Sequence, residues 1–454
     1  MKLVYGVNDK PKFAQLIIYA LQQLLAIMTA TLVVPVIING ACGTTMSSAA
    51  ALFGAGIGTL VYVAFTQKKS PVFLGSSFAF IGSMMAAFAG GVSMSLGFLG
   101  LILGAIFAGL VYVIIAIIVK FVGVNWINKL MPAVVIGPTV AIIGLSLAGN
   151  AISDMSKGSI PDVATSPLIT ILCGVITLLI TIICSTYGKK TLKLIPFIIG
   201  ILGGYAAAAI FTIIGFAADV DALKVLNVAP FLALVENGIT LNTFLSVPDF
   251  TFMSAFKGFG ELNGAYVSTI AVAYIPVAFV VFAEHIADHK NISSIIEADL
   301  LENPGLHRTL LGDGIGSMVG AFFGGCPNTT YGESVGCVAI TRNASVSTII
   351  TAAVLAIFIA FISPFIAFVN SIPSCVMGGV CMALYGFIAV SGLKMVQQVN
   401  LNQNKNLFVV SVILIAGIGG LTLSFGQITI TSIACALILG IITNIILSKA
   451  KDEE

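Results

Sequence analysis

Three acids set in apolar sequence are the residues best suited to chemistry in this chain. Glu284 and Asp288 lie in Ala283-Glu284-His285-Ile286-Ala287-Asp288-His289, closing an apolar stretch that begins near Ala265. Glu333 lies in a second apolar region, Thr330-Tyr331-Gly332-Glu333-Ser334-Val335-Gly336. Ionisable groups at membrane depth are expensive and mark pathways for ions, protons or substrates. On a helix, residues four apart share one face a turn apart, so Glu284 and Asp288 form an acidic stripe and His285 and His289 the adjacent stripe. Two carboxylates stacked this way repel when both are ionised, which fits one of them to hold a proton.

The elements that position these groups must span a bilayer. Of 454 residues, 58% are hydrophobic and only 8% charged, and the mean hydropathy is +1.11, values foreign to a soluble domain of this length. Lipid offers no hydrogen-bond partners, and the apolar runs are long and continuous rather than alternating, so the spans are helices and not barrel strands. The first run, about 13–38, is too long for a signal-peptide core and is expected to be the first span. The eight cysteines lie mostly inside apolar segments with no CxxC spacing and read as packing residues rather than disulfides or metal ligands. The net charge of +2 gives no footprint for nucleic acid.

Cutting at Gly, Pro and charge clusters gives fourteen expected spans: 14–38, 46–66, 71–91, 96–119, 130–149, 167–185, 192–215, 265–285, 310–325, 329–342, 346–368, 371–391, 406–422 and 427–447. With a cytoplasmic N-terminus, of the 20 Lys and Arg only Lys157, Lys224 and Lys257 fall outside and the other seventeen inside, so both termini are expected in the cytoplasm. The longest polar interruption, about 215–261, separates seven spans from seven. An odd number per half inverts the second half relative to the first, as in many secondary transporters. The expected organisation is residues 1–215 as a first inverted repeat, 216–264 as an external connection and 265–454 as a second repeat.

The third span of each half is the irregular one. Pro71-Val72-Phe73-Leu74-Gly75-Ser76-Ser77-Phe78 begins with Pro and breaks at Gly-Ser-Ser, and Cys326-Pro327-Asn328-Thr329-Thr330-Tyr331-Gly332-Glu333 does likewise after a Gly-rich approach. Matched interruptions point to a transporter's binding site. Each reads as a few extended residues and then a half-helix starting mid-membrane near Phe78 or Gly332. Such a start leaves backbone N–H groups free and a partial positive charge facing inward. Irregular backbone at this depth must be buried or line a cavity, so the pair implies a cavity between the two starts.

Other residues have plainer readings. Asp288 is placed nearer a cytoplasmic loop at 290–308, where a solvated acid costs little. Asp313 opens the ninth span and reads mainly as an interface or cap residue. His285 and His289 read as helix-end histidines, and without a third His or Cys nearby a metal site is not expected. Gly54 with Gly58, and Gly316 with Gly320, have the small-xxx-small spacing of close helix packing. Asn328-Thr329-Thr330 matches a glycosylation acceptor, which has no meaning at membrane depth.

These residues resemble the nucleobase-ascorbate transporter (uracil/xanthine permease) family, and within it the bacterial uracil permease branch. The stretches that carry the resemblance are Leu74-Gly75-Ser76-Ser77-Phe78-Ala79-Phe80, Ala283-Glu284-His285-Ile286, Asn303-Pro304-Gly305-Leu306-His307-Arg308 and Pro327-Asn328-Thr329-Thr330-Tyr331-Gly332-Glu333. The resemblance implies an all-α polytopic membrane protein of 14 transmembrane segments in two inverted 7-helix repeats, with short strands in broken segments 3 and 10. It implies a core domain from spans 1–4 and 8–11, a gate domain from spans 5–7 and 12–14, a homodimer in the cell membrane, and proton symport with no cofactor beyond the proton. Carried over by position, Glu284 and Glu333 would bind the N–H groups of a pyrimidine, and the backbone N–H groups of Phe78 and Gly332 its carbonyls. Tyr331 and Tyr385 would be wall residues. An acid at 333, where purine-transporting relatives carry Gln, favours uracil over xanthine. The chain departs from the family pattern at Gln23, where the usual residue is His, and at Ser334, where it is Asn. The position of Asp288 is His in some uracil permeases.

The expected function is therefore proton-coupled import of a nucleobase, most simply uracil, with Glu284 and Asp288 carrying the proton. Xanthine or another base is the alternative within the family. An anion carrier would want Lys or Arg in the cavity, and none is expected there. An integral-membrane enzyme would need a nucleophile-base pair, a metal cluster or a soluble catalytic domain, and the segment 215–261 has neither His nor Cys. Acids beside broken helices disfavour a passive channel.

Overall fold

Apolar runs without turn residues become helices because a helix bonds its backbone groups internally, the one economical solution in lipid. The computed structural model describes residues 3–123, 132–160, 163–189, 191–236, 238–425 and 428–448. Its first half runs through α1 (Phe13–Cys42), α2 (Ser48–Phe65), strand β1 (Leu74–Ser76), a 3-10 turn Phe78–Phe80 leading into α3 (Ile81–Ala87), α4 (Met94–Val122), α5 (Ala133–Ser146) with its short continuation α6 (Ala148–Met155), α7 (Pro167–Tyr187) and α8 (Pro196–Ala217). The second half runs through α9 (Gly264–Ile296), α10 (Leu306–Gly324), strand β2 (Asn328–Thr330), α11 (Gly332–Thr341), α12 (Val346–Ile359), α13 (Ser374–Val396), α14 (Asn404–Ile418), the hairpin strands β3 (Leu423–Phe425) and β4 (Ile428–Ile430), and α15 (Ser432–Leu447). Among the described residues, eight helices are long and apolar enough to cross a membrane, and four further apolar helices are shorter.

Three local differences from the sequence reading matter for the site. Helix α9 continues to Ile296, so Glu284, His285, Asp288 and His289 sit in its body and not at its end. Helix α10 begins at Leu306 behind the cap Gly305, which puts Asp313 two turns inside it rather than at its start. Only about 297–305 remains of the expected 290–308 loop, because apolar Ile292, Ile295 and Ile296 pack inward and carry the helix on. The hairpin β3–β4, paired Leu423↔Ile430 and Phe425↔Ile428, was not expected. The first two residues of the expected span 130–149, residue 427, and Lys2, Lys129, Lys190, Lys449 and Lys451 lie outside the described residues.

The helices pack as two sets. In one, α2 lies against α10 and α12, α4 against α10 and α9, and α1 against α12 and α2. In the other, α5 lies against α13, α14 and α15, α7 against α8 and α13, and α14 against α15. Several contacts have a counterpart with the two halves exchanged: α4 on α9 and α10 answers α12 on α1 and α2, and α7 on α8 answers α14 on α15. The segment between α8 and α9 folds into short helices such as Thr251–Ala255, which rests on α4 and α10.

Glycine lets α2 and α10 touch backbone to backbone. A Cβ at Gly54 would lie 2.4 Å from the carbonyl oxygen of Gly320, and one at Gly58 would lie 2.7 Å from that of Gly316. The small-xxx-small pairs do the packing their spacing predicts.

Candidate functional site

The two broken segments meet each other. Strand β1 pairs antiparallel with β2, in the register Leu74↔Thr330, Gly75↔Thr329, Ser76↔Asn328. The ladder is extended by Ser77 N–H to Pro327 O at 2.9 Å and Tyr331 N–H to Phe73 O at 3.3 Å. Backbone that breaks out of a helix in lipid needs such partners, and each break supplies the other's. Gly75 is required at the centre: a Cβ there would stand 2.4 Å from the Tyr331 ring and 2.8 Å from Thr31 Oγ1. Tyr331 crosses that gap and donates its hydroxyl to Ser76 O at 2.6 Å. Asn328, from β2, donates to Gly54 O at 3.2 Å, held in the groove that the glycines of α2 and α10 leave.

Each strand then turns into a helix through one extended residue, Ser77 (ψ 122°) before Phe78 and Tyr331 (ψ 125°) before Gly332. The antiparallel register sends the two helix starts off opposite ends of the strand pair, and both Phe78 and Gly332 border one cavity. Glu333 stands in the first turn of α11, where a negative charge meets the positive helix end. Ser334 behind it is fully buried; its oxygen accepts from Phe73 N–H at 2.9 Å and from Gln23 Nε2.

Helix α9 supplies the facing wall. Thr330 donates to Asp288 Oδ2 at 2.9 Å, and Asp288 Oδ1 lies 3.8 Å from where a side chain on Gly332 would begin. Glu284 is one turn away. The result is a cavity of about 440 Å³ lined by Phe78, Glu284, Asp288, Tyr331, Gly332 and Glu333, with Ser77, Thr329 and Thr330 between them. Five of the six residues expected to bind substrate, and the expected proton residue Asp288, border this one space. Tyr385, the sixth, is not among its lining residues; it is buried behind Phe78, ring edge to face at 6.2 Å.

The far wall comes from the second helix set: Val140 and Ile143 of α5, and Leu384, Ile388, Ser391 and Met395 of α13. Sequence reasoning missed this wall, Thr330 as a partner of Asp288, and Asn291, one turn beyond Asp288. Ser391 had a weak signal, being a polar residue in the apolar span 371–391, whereas Asn291 fell in the expected loop 290–308, where a polar residue is unremarkable. Leu384 and Ile388 had none, because apolar residues there look like any lipid or core contact.

The arrangement offers carboxylate acceptors, helix-start N–H donors and an apolar lid of Phe78 and α13 around a space of small-molecule size. It contains no Lys or Arg among the lining residues, and no group of three His, Cys, Asp or Glu that could hold a metal occurs among the described residues.

Residues 14–425 match the model of the Permease family (Xan_ur_permease). The chain is 37% identical to a uracil permease of Bacillus subtilis (strain 168), covering 100% of this chain and 97% of that protein. It is 35% identical to a uracil permease of Escherichia coli (strain K12), covering 96% and 92%. Among solved structures, the transmembrane domain of the cyanobacterial bicarbonate transporter BicA superposes with a TM-score of 0.60 at 14% identity, over 97% of this chain and 100% of that one. Murine Slc26a9, an anion transporter solved in the inward-facing state, gives 0.64 at 11% identity, over 97% and 69%. At such identities these two structures speak for the fold alone.

Proposed function

Because the chain belongs to the Xan_ur_permease family of permeases, and is thus a multi-pass membrane transporter and not an enzyme, we propose that it imports uracil together with a proton through the cavity between the strand pair and α9. The observation that carries this reading is the convergence of two carboxylates, Glu284 and Glu333, and two helix starts, Phe78 and Gly332, on one cavity. Uracil is neutral and polar on every edge, and burying it requires a partner for each N–H and C=O. Carboxylates accept from the N–H groups, and the backbone N–H groups of Phe78 and Gly332 donate to the carbonyls. Phe78 covers a ring face and adds apolar contact. The names of the relatives support uracil, and a 30% identical Escherichia coli protein described as a putative pyrimidine permease supports a pyrimidine over a purine.

The chain is read as fourteen spans in two inverted sevens. The reciprocal packing of the two halves and the antiparallel pairing of β1 with β2 support this, as both are what a two-fold relation in the membrane plane produces. Residues 1–215 and 265–454 are the repeats, with 216–264 outside. The set containing α1–α4 and α9–α12 is the core that carries substrate; the set containing α5–α8 and α13–α15 is the gate. The assembly is a homodimer in the cell membrane with both termini cytoplasmic.

The cavity lining steps along α9 from Glu284 to Asp288 to Asn291, and along α13 from Leu384 to Ile388 to Met395, toward the ends that carry Lys290 and Lys394. Lysines mark the cytoplasmic side, so this conformation is open inward. In the cycle, a proton on Glu284, assisted by Asp288, neutralises the loaded site so that the core can move against the gate. The empty, ionised site crosses only at high cost.

Equilibrium binding of radiolabelled uracil to the purified protein, with competition by a panel of nucleobases, tests the substrate. Uracil is expected to bind and to be displaced by close pyrimidine analogues and not by xanthine; displacement by xanthine at equal concentration would overturn the assignment.

A further inference from the structure

The connection between α8 and α9 does not have the surface of a loop in water. Large apolar side chains point outward along it, among them Ile239 (79% exposed), Leu241 (73%) and Val247 (67%). The connection 297–305, with Leu300 and Leu301 turned in, exposes no large apolar side chain among the described residues. Contiguous apolar surface left outward marks contact with a partner or a membrane.

The way this segment is held shows which part of it is free. Near its start, Val225 and Leu226 N–H donate to Thr212 Oγ1 of α8 at 3.0 and 2.8 Å, and Ser166 N–H before α7 donates to Ala222 O at 2.9 Å. That end belongs to the gate. Further on, Ser246 N–H donates to Phe361 O at 2.9 Å, Ser363 Oγ donates to Asn242 O at 2.8 Å, and the helix Thr251–Ala255 rests on α4 and α10. That end belongs to the core. Between the two, the hydrogen bonds of 227–241 are all local to the segment among the described residues.

This crossing strip has two faces. Its outward residues Val228, Leu232, Val235 and Ile239 keep the spacing of one face of a helix, although only Ala229–Ala233 closes into one before the chain turns at Gly238, φ +79°. Pro230, Ala233 and Leu234 line a groove of about 570 Å³ whose other wall is Ile366, Ala367 and Asn370 of the helix Ser363–Ser371. That helix joins α12 to α13 and is the second link from core to gate on this side.

Charge and continuity identify what covers the outward face. Glu236 is the only ionisable residue of 227–241, and Lys224 just before it is engaged by Asp221 at 2.6 Å and Asp219 at 3.6 Å. The strip therefore has no basic cluster to draw anionic headgroups, and its attraction is that of apolar side chains for hydrocarbon. It also continues the outward apolar face of α8, where Ile210, Ile213 and Phe216 stand at the end of a membrane-crossing helix.

We propose that residues 228–241 lie in the outer leaflet, with their apolar face among phospholipid acyl chains just below the headgroups, so that the external link between gate and core runs through lipid and not through water. A link so placed shears against the leaflet each time the core moves. Its position between core and gate rests on the proposed function; its contact with lipid does not.

The chain has one tryptophan, Trp126, so Trp126→Phe carrying Leu232→Trp or Ile239→Trp reports from a single place. In phosphatidylcholine liposomes, emission from both full-length proteins is expected to be quenched by bromine on the upper acyl chain and to resist aqueous iodide, while Lys157→Trp in the same background is expected to respond to iodide. Iodide quenching of the Leu232→Trp and Ile239→Trp proteins without bromine quenching puts the strip in water and overturns the proposal. Protection from both quenchers puts protein over the strip, a second copy of the chain first of all, and also overturns it. Should the variants fail to assemble, the wild type decides: a phosphatidylcholine with a diazirine in its acyl chain is expected to label 228–241 as it labels the outward Ile114 and Ile117 of α4, and label on α4 with none on the strip overturns the proposal.

Discussion

Gln23 and Ser334, 311 residues apart in sequence, are hydrogen-bonded to each other in the buried interior. They are also the two positions at which the sequence reading expected His and Asn from the resemblance. The same Ser334 oxygen takes the Phe73 N–H, so one hydroxyl ties α1, the start of β1 and the first turn of α11 together.

Ser334→Ala removes the acceptor and leaves two buried donors, which costs about 1–3 kcal/mol for each unsatisfied group. A lower melting temperature and weaker uracil binding are expected. Adding Gln23→Leu to that variant is expected to recover part of the loss, since one orphaned donor disappears. A double-mutant cycle by thermal unfolding in detergent measures the coupling, and strictly additive effects would contradict the link.

Glu333→Gln exchanges a two-oxygen acceptor for a group that is half donor at the start of α11. A loss of about 1–3 kcal/mol in uracil binding is expected, roughly 5- to 150-fold in Kd. Calorimetry on the purified variant checks it; an unchanged Kd would remove Glu333 from the site.

Gly75→Ala pushes a methyl group into the Tyr331 ring, and the strand pair must yield because the ring is pinned by its bond to Ser76 O. Expression and binding are both expected to fall. Tyr331→Phe loses the single hydrogen bond and is expected to cost about 1 kcal/mol of stability. A Gly75→Ala protein with normal stability and affinity would show that the close approach is not maintained in the membrane.

Asn291→Cys and Ser391→Cys place thiols at the mouth of the cavity, which no native cysteine lines. In a cysteine-free background both are expected to react with an impermeant thiol reagent from the cytoplasmic side and to be protected by uracil. Modification from the outside alone would reverse the orientation.

Asp288→Asn is expected to reduce gradient-driven uptake while leaving counterflow measurable, because Thr330 can still donate to the amide oxygen and hold the helix in place. Initial rates in vesicles with and without an imposed pH gradient check this. Equal stimulation by the gradient in variant and wild type would release Asp288 from any part in coupling.

The sequence by itself determined the medium, the helices and the two broken segments, since these follow from local facts: length of apolar run, proline and glycine position, and the cost of a charge in lipid. It also picked out Glu284 and Glu333, because an acid in an apolar run is conspicuous without any neighbour. Tertiary structure alone decided what those segments do for each other. Leu74 meets Thr330, Asn328 rests between α2 and α10, and Asp313 takes His285 as a partner because hydrogen bonds and close packing connect residues by distance in space, which no local pattern encodes. The apolar wall from α13 was hidden for the same reason. A leucine facing a cavity and a leucine facing lipid are the same letter, and only the fold places a solvent-sized gap beside one of them.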